Sequence, residues 1–120
     1  MKRKMMLVLC AGLLATMAAS ARRMEAQAGP RRVEIDAKRF TYSPGEITLK
    51  KGEPVILVLK SEDVAHGLRI RELNINLKVK AGGTGEMQFT PDKTGDFVGH
   101  CSVFCGEGHG SMAIKLHVVN

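Results

Sequence analysis

Two thiols, an imidazole and a thioether stand within twelve residues near the end of this 120-residue chain. They are Cys101, Cys105, His109 and Met112, in the segment Gly99-His-Cys-Ser-Val-Phe-Cys-Gly-Glu-Gly-His-Gly-Ser-Met112. Soft sulfur together with imidazole is the donor set that copper prefers. Zinc would use the cysteines and the histidine but gains little from a thioether. Calcium and magnesium want oxygen ligands and do not fit. Intervals of four, four and three residues would suit one face of a helix. Gly106, Gly108 and Gly110 lie among the donors, however, and glycine at that density opposes a helix. It suits a loop wrapped closely around an ion, where the backbone turns sharply. A further donor must come from elsewhere in the chain, and His66, at the end of a polar loop, is the candidate.

The elements that would position these donors read as strands. Val33-Glu34-Ile35-Asp36-Ala37 and Glu46-Ile47-Thr48-Leu49-Lys50 alternate apolar and polar residues, as half-buried strands do. Val55-Ile56-Leu57-Val58-Leu59 is a short, β-branched apolar run that fits a central strand. Leu68–Ile70, Ile75–Val79, Glu86–Thr90, Phe97–His100 and Ala113–Val119 complete the set. Turns fall at Ser43-Pro44-Gly45, Lys51-Gly52 and Ala81-Gly82-Gly83-Thr84-Gly85. No stretch carries a helical period. Six to eight short strands at this spacing predict an antiparallel sandwich, with the donor loop joining the last two.

Length and charge bound what such a domain does. The chain is long enough for one small domain once an export segment is set aside. Met1-Lys2-Arg3-Lys4, the apolar run Met5 to Ala19 and the small residues Ala26-Gln27-Ala28 predict a signal peptide over residues 1–28, or a short membrane anchor over the same stretch. Either places a domain over residues 29–120 outside the cytoplasm, in the periplasm or on the outer face of the cytoplasmic membrane. The formal charge of +6 is concentrated in that leader. Residues 1–28 hold five of the eighteen basic residues and one of the twelve acidic ones, which leaves 13 against 11, or +2. A domain this close to neutrality carries no footprint for nucleic acid.

An upstream His followed by Cys-x3-Cys-x3-His-x2-Met resembles the dinuclear copper loop, the CuA motif, of cytochrome c oxidase subunit II and nitrous oxide reductase. The match falls at His66, Cys101, Cys105, His109 and Met112. It is strong over residues 95–114 and looser over 33–120. The resemblance implies a cupredoxin-like, all-β, antiparallel Greek-key sandwich. It implies two copper ions bridged by the thiolates of Cys101 and Cys105. His66 and Met112 would complete one ion, and His109 and the backbone carbonyl of Val103 the other. It further implies an electron carrier that is not an enzyme alone. A redox protein, either a cytochrome c or a partner like oxidase subunit I, would exchange electrons with it.

Two features depart from subunit II. The chain has no tryptophan, and the domain is slightly positive, which disfavours docking to a basic cytochrome c. Phe104 is the aromatic inside the loop that is placed to touch the edge of the site. The departures favour a free-standing carrier over a small oxidase subunit. Other readings of the same residues remain open. A Cys101–Cys105 disulfide is sterically possible in an exported domain. Cys105, His109, Met112 and His66 would suffice for a mononuclear blue-copper site. Copper delivery or storage uses similar donors. His100 is either a neighbour that supports the site or a surface contact for electron transfer. His117 reads as structural and Glu107 as solvated.

Overall fold

The computed structural model describes residues 29–120, and the signal peptide or anchor expected over 1–28 lies outside the described residues. Nine strands form among them: β1 (Arg31–Lys38), β2 (Thr41–Ser43), β3 (Glu46–Lys50), β4 (Val55–Ser61), β5 (His66–Ile70), β6 (Ile75–Val79), β7 (Thr84–Phe89), β8 (Gly95–His100) and β9 (Ala113–Val119). They build two sheets, in the orders β2-β1-β4-β7 and β3-β9-β8-β5-β6. Single turns of 3-10 helix occur at Arg71–Leu73 and His109–Ser111. Among the described residues, no helix is long and apolar enough to cross a membrane.

Alternation decides which side chains enter the space between the sheets. Ile75, Leu77 and Val79 of β6 point inward and are buried, whereas Asn76 and Lys78 face out. Ile114, Leu116 and Val118 do the same on β9. The apolar run of β4 lies between β1 and β7, with Val55, Leu57, Val58 and Leu59 buried. The sandwich expected from the sequence is therefore present, with one addition. Most pairings are antiparallel, but β1 runs parallel to β4 and β3 runs parallel to β9. Residue alternation is the same in both pairings, so it carries no information on strand direction.

The strand ladder brings the donor loop to one end of the second sheet. β8 and β9 are antiparallel neighbours, and His100 pairs with Ala113. Residues 101–112 thus leave and re-enter the sheet at one point. On the other side of β8, Arg69 of β5 stands opposite His100. Extending that register carries the start of β5 toward the loop. Gly99 lies beneath, where a Cβ would come within 2.8 Å of both Ile70 and Leu68. The strands are that tightly packed under the site.

His117 joins three strands of the second sheet. Its ring bonds Asp96 of β8 at 2.6 Å and reaches Glu46 of β3 at 3.5 Å. The bond to Asp96 and the charges of both carboxylates raise the imidazole pKa above its ordinary 6.5. The folded state then holds the proton more tightly than the unfolded chain does. The stabilisation is fully present below pH 6.5 and is lost as pH rises through the raised value. In chemical denaturation across pH 5–9, the protein should lose a small increment of stability just above pH 6.5, and His117→Gln should remove that step.

Candidate metal centre

The loop closes on itself before any ion is considered. The N–H of Cys101 donates to the carbonyl of Met112 at 3.4 Å, one step beyond the His100–Ala113 pair. Between these ends the chain turns through Gly106, whose φ of 135° suits glycine. His109 enters a single 3-10 turn, and the N–H of Met112 donates back to the His109 carbonyl at 3.3 Å. Met112 is fully buried, and Cys101 and Cys105 are nearly so.

The sulfur atoms form the middle of the cluster. The Sγ atoms of Cys101 and Cys105 are 3.6 Å apart, and both thiols are free. A disulfide requires about 2.05 Å, so the cysteines stand together without a bond. The remaining donors divide evenly between the two sulfurs. His66 Nδ1 lies 3.8 Å from Cys101 Sγ, and Met112 Sδ lies 3.8 Å from Cys105 Sγ. Cys101 Sγ donates to the Val103 carbonyl at 3.1 Å, and His109 Nδ1 is 3.6 Å from Cys105 Sγ. The ligand atoms of His66, Cys101 and Cys105 all lie within 4.8 Å of one another. All six residues expected from the sequence therefore come together. The donor set, two thiols, two imidazole nitrogens, a thioether and a carbonyl, fits copper.

His66 is fully buried at the start of β5, where a lone imidazole needs a partner. Asp63, three residues earlier, supplies it: His66 Nε2 bonds Asp63 Oδ1 at 2.6 Å. Asp63 also accepts the backbone N–H groups of Arg39 at 2.8 Å and Val64 at 2.7 Å. The Arg39 N–H contributes most, with His66 and Val64 behind it, and together they hold the carboxyl down at about 2. An ionised carboxylate only accepts, so Nε2 carries the proton. In the neutral ring the lone pair then lies on Nδ1, facing Cys101, the form a metal ligand needs.

The turn between β1 and β2 supports the loop from outside. Arg39 Nε donates to the Cys105 carbonyl at 2.9 Å. The Phe40 ring lies on the backbone of Gly108, where a Cβ would sit 2.5 Å from the ring. Glycine is required there by contact. Tyr42 of β2 is buried and donates its hydroxyl to the Gly67 carbonyl at 2.5 Å, bracing the backbone beside His66. Burial, with the nearby Cys101, pushes that hydroxyl far above its ordinary pKa, so it remains a donor.

Sequence reasoning missed Asp63, Arg39, Phe40 and Tyr42. Asp63 sits in Ser61-Glu62-Asp63, which reads as an ordinary polar turn. Its spacing from His66 was the available sign. Arg39 and Phe40 lie more than fifty residues from the loop they support, and Tyr42 is 25 residues from the Gly67 carbonyl that it holds. Phe104 is at the edge of the site as expected, 76% exposed, with its ring centroid 5.6 Å from that of His109. Phe40 is a second aromatic in contact with the loop. His100 is exposed and outside the cluster, and Glu107 is exposed.

Comparison with known proteins shows the family of this fold. The cupredoxin-like domain family matches residues 5–114. Cytochrome c oxidase subunit 2 of Thermus thermophilus is 32% identical over 88 residues, covering 72% of this chain and 65% of that protein. Nitrous-oxide reductase of Cupriavidus necator is 36% identical over 90 residues, covering 72% of this chain and 14% of the reductase. A chain of a heme-copper terminal oxidase dimer superposes with a TM-score of 0.67 at 31% identity, covering 76% of this chain and 66% of that one. The chain thus spans less than two thirds of the length of these relatives.

Two outcomes follow from the centre's electrostatics. Replacing Asp63 by Ala frees the His66 tautomer and should weaken copper retention by roughly 10–100-fold in a chelator competition, with the fold intact by circular dichroism. Burial, followed by the neighbouring Cys101, pushes the Cys105 thiol up from 9.0 to about 11. The metal-free fold therefore favours the thiol. That contribution is present below pH 9 and fades as pH climbs toward about 11. The metal-free protein should lose stability in denaturant over this interval, and Cys105→Ser should lose less.

Proposed function

On the premise that this chain belongs to the cupredoxin-like domain family, we propose that it is an electron-transfer protein with a dinuclear copper centre. Its relatives are subunit 2 of cytochrome c oxidase and nitrous-oxide reductase, and its buried His-Cys-Cys-Met cluster is consistent with a copper site. The observation that carries the dinuclear reading is the even division of donors. His66 approaches one sulfur and Met112 the other. The Val103 carbonyl and His109 repeat that arrangement. Two sets of two donors, each touching both sulfurs, suit two ions that share a pair of thiolates. A mononuclear site would leave Cys101 and the Val103 carbonyl without a role.

Copper, when bound, supplies one-electron redox chemistry. The chain's own residues determine whether transfer is easy. Cys101 and Cys105 would share charge between both ions as thiolates, so the loss of one electron changes each bond little. Met112 and His66 are fully buried, which excludes water and keeps reorganisation small. Asp63 fixes His66, and Arg39 fixes the Cys105 carbonyl. His109 is half-buried beside exposed Phe104, so the cluster approaches solvent at that edge. The chain would work outside the cytoplasm as a carrier, or as a small subunit of an oxidase, passing electrons to or from a redox protein.

The test is copper uptake by the purified chain. The protein should take up two copper ions per chain and turn purple. Cys101→Ser should abolish the purple colour and cut the copper content to one ion or none. An unaltered protein that is blue with one copper ion, and a Cys101→Ser variant that keeps that colour and copper content, would contradict the dinuclear reading.

A further inference from the structure

The groove beside Cys101 carries two arginines on its wall. It has a volume of about 430 Å³ and is lined by Arg69, Arg71, Val98, His100 and Cys101, with Glu72 as its one acidic residue. A second groove of about 310 Å³ continues from it on the other side of Arg69 and Arg71. The strand register explains the grouping. Arg69 stands opposite His100 across β5 and β8, and Val98 stands opposite Lys115 across β8 and β9. All four therefore project from the outer face of the sheet, next to the end that carries the copper loop. Arg69, Arg71 and Lys115 make no ion pair among the described residues, unlike Arg32 and Lys60 on the other sheet. Val98 is 46% exposed in their midst, an apolar spot with a charged surround.

We infer that this face is the docking surface for an acidic protein that exchanges electrons with the centre, an inference that rests on the function proposed above. Unpaired arginines on a domain of net charge +2 make a local positive field that steers an anionic partner and adds little elsewhere. An apolar centre with a polar rim is the form of a protein interface. A nucleic acid would demand a longer basic track. A partner seated on Val98 and the two arginines would lie directly over Cys101, a sulfur of the centre, so the route to the metal is one residue deep. This polarity is the reverse of a surface made for a basic partner.

The surface can be mapped without depending on copper. In the full chain labelled with nitrogen-15, the redox-inert paramagnetic anion hexacyanochromate(III) should broaden amides of residues 69–72 and 98–102. Arg69→Glu with Arg71→Glu should abolish that broadening and leave the rest of the spectrum in place. In the copper-loaded protein, the reduced centre gives one electron to hexacyanoferrate(III), which becomes hexacyanoferrate(II). The double variant should slow this step at least tenfold at low ionic strength, and added salt should remove the difference. Lys51→Glu with Lys93→Glu, at the far end of the sandwich, should change the rate less than twofold. Broadening centred on Phe104 and His109, or equal effects of the two double variants, would overturn the proposal. So would Arg69- and Arg71-dependent sedimentation with phosphatidylglycerol vesicles, which would assign the face to lipid. Anion mapping to the groove in a chain that takes up no copper would instead refute the electron-transfer reading while leaving the anion surface in place.

Discussion

The centre depends on one piece of strand register, the pairing of His100 with Ala113. It makes residues 101–112 a closed loop whose two ends are neighbours in a sheet. Cys101 and Met112, the outermost donors, are then joined by a backbone hydrogen bond and buried by the core beneath them. Cys105 and His109 hang between these fixed ends. A slip of one residue would turn Cys101 outward and Met112 with it, since alternate residues face opposite sides of a strand. Ile114, Leu116 and Val118 prevent the slip, because it would carry all three from the core to solvent.

A loop held only at its ends would still be free in the middle, and the rest of the fold removes that freedom. The other sheet contributes through the turn between β1 and β2. Arg39 holds the Cys105 carbonyl, and Phe40 lies on Gly108. The same turn uses the Arg39 N–H to hold Asp63, which in turn orients His66. One short segment thus steadies both the loop and the remote histidine. Burying His66 completely without Asp63 would strand a polar ring in the core. The carboxylate compensates and selects the tautomer in the same contact. Donors held this way need little movement on a change of charge, which is what a site for electron transfer requires.

Most of this was legible in the sequence because it is written locally. The alternation of Glu46–Lys50, Ile75–Val79 and Ala113–Val119 predicts strands, and the structure has strands with those bounds. The four loop donors are recognisable by type and spacing, and the glycines between them exclude a helix. His66 was a candidate from its place at the end of a polar loop, and the resemblance to a known pattern singled it out as a ligand. What was not legible is long-range. Alternation gives no strand direction, so the parallel pairs β1–β4 and β3–β9 did not appear. Tyr42 and Phe40 look like ordinary core residues, and their contacts with Gly67 and Gly108 exist only after two sheets are stacked. That Arg69 and Arg71 form no ion pair among the described residues is likewise a property of the folded surface, invisible in a count of charges.

On the proposed reading, Cys101 and Cys105, whose sulfurs stand 3.6 Å apart, are the shared ligands of two copper ions. The most direct measurement is the electron paramagnetic resonance spectrum of the oxidised, copper-loaded protein. One unpaired electron spread over both ions should show hyperfine coupling to two equivalent copper nuclei. Coupling confined to a single copper nucleus would contradict the claim.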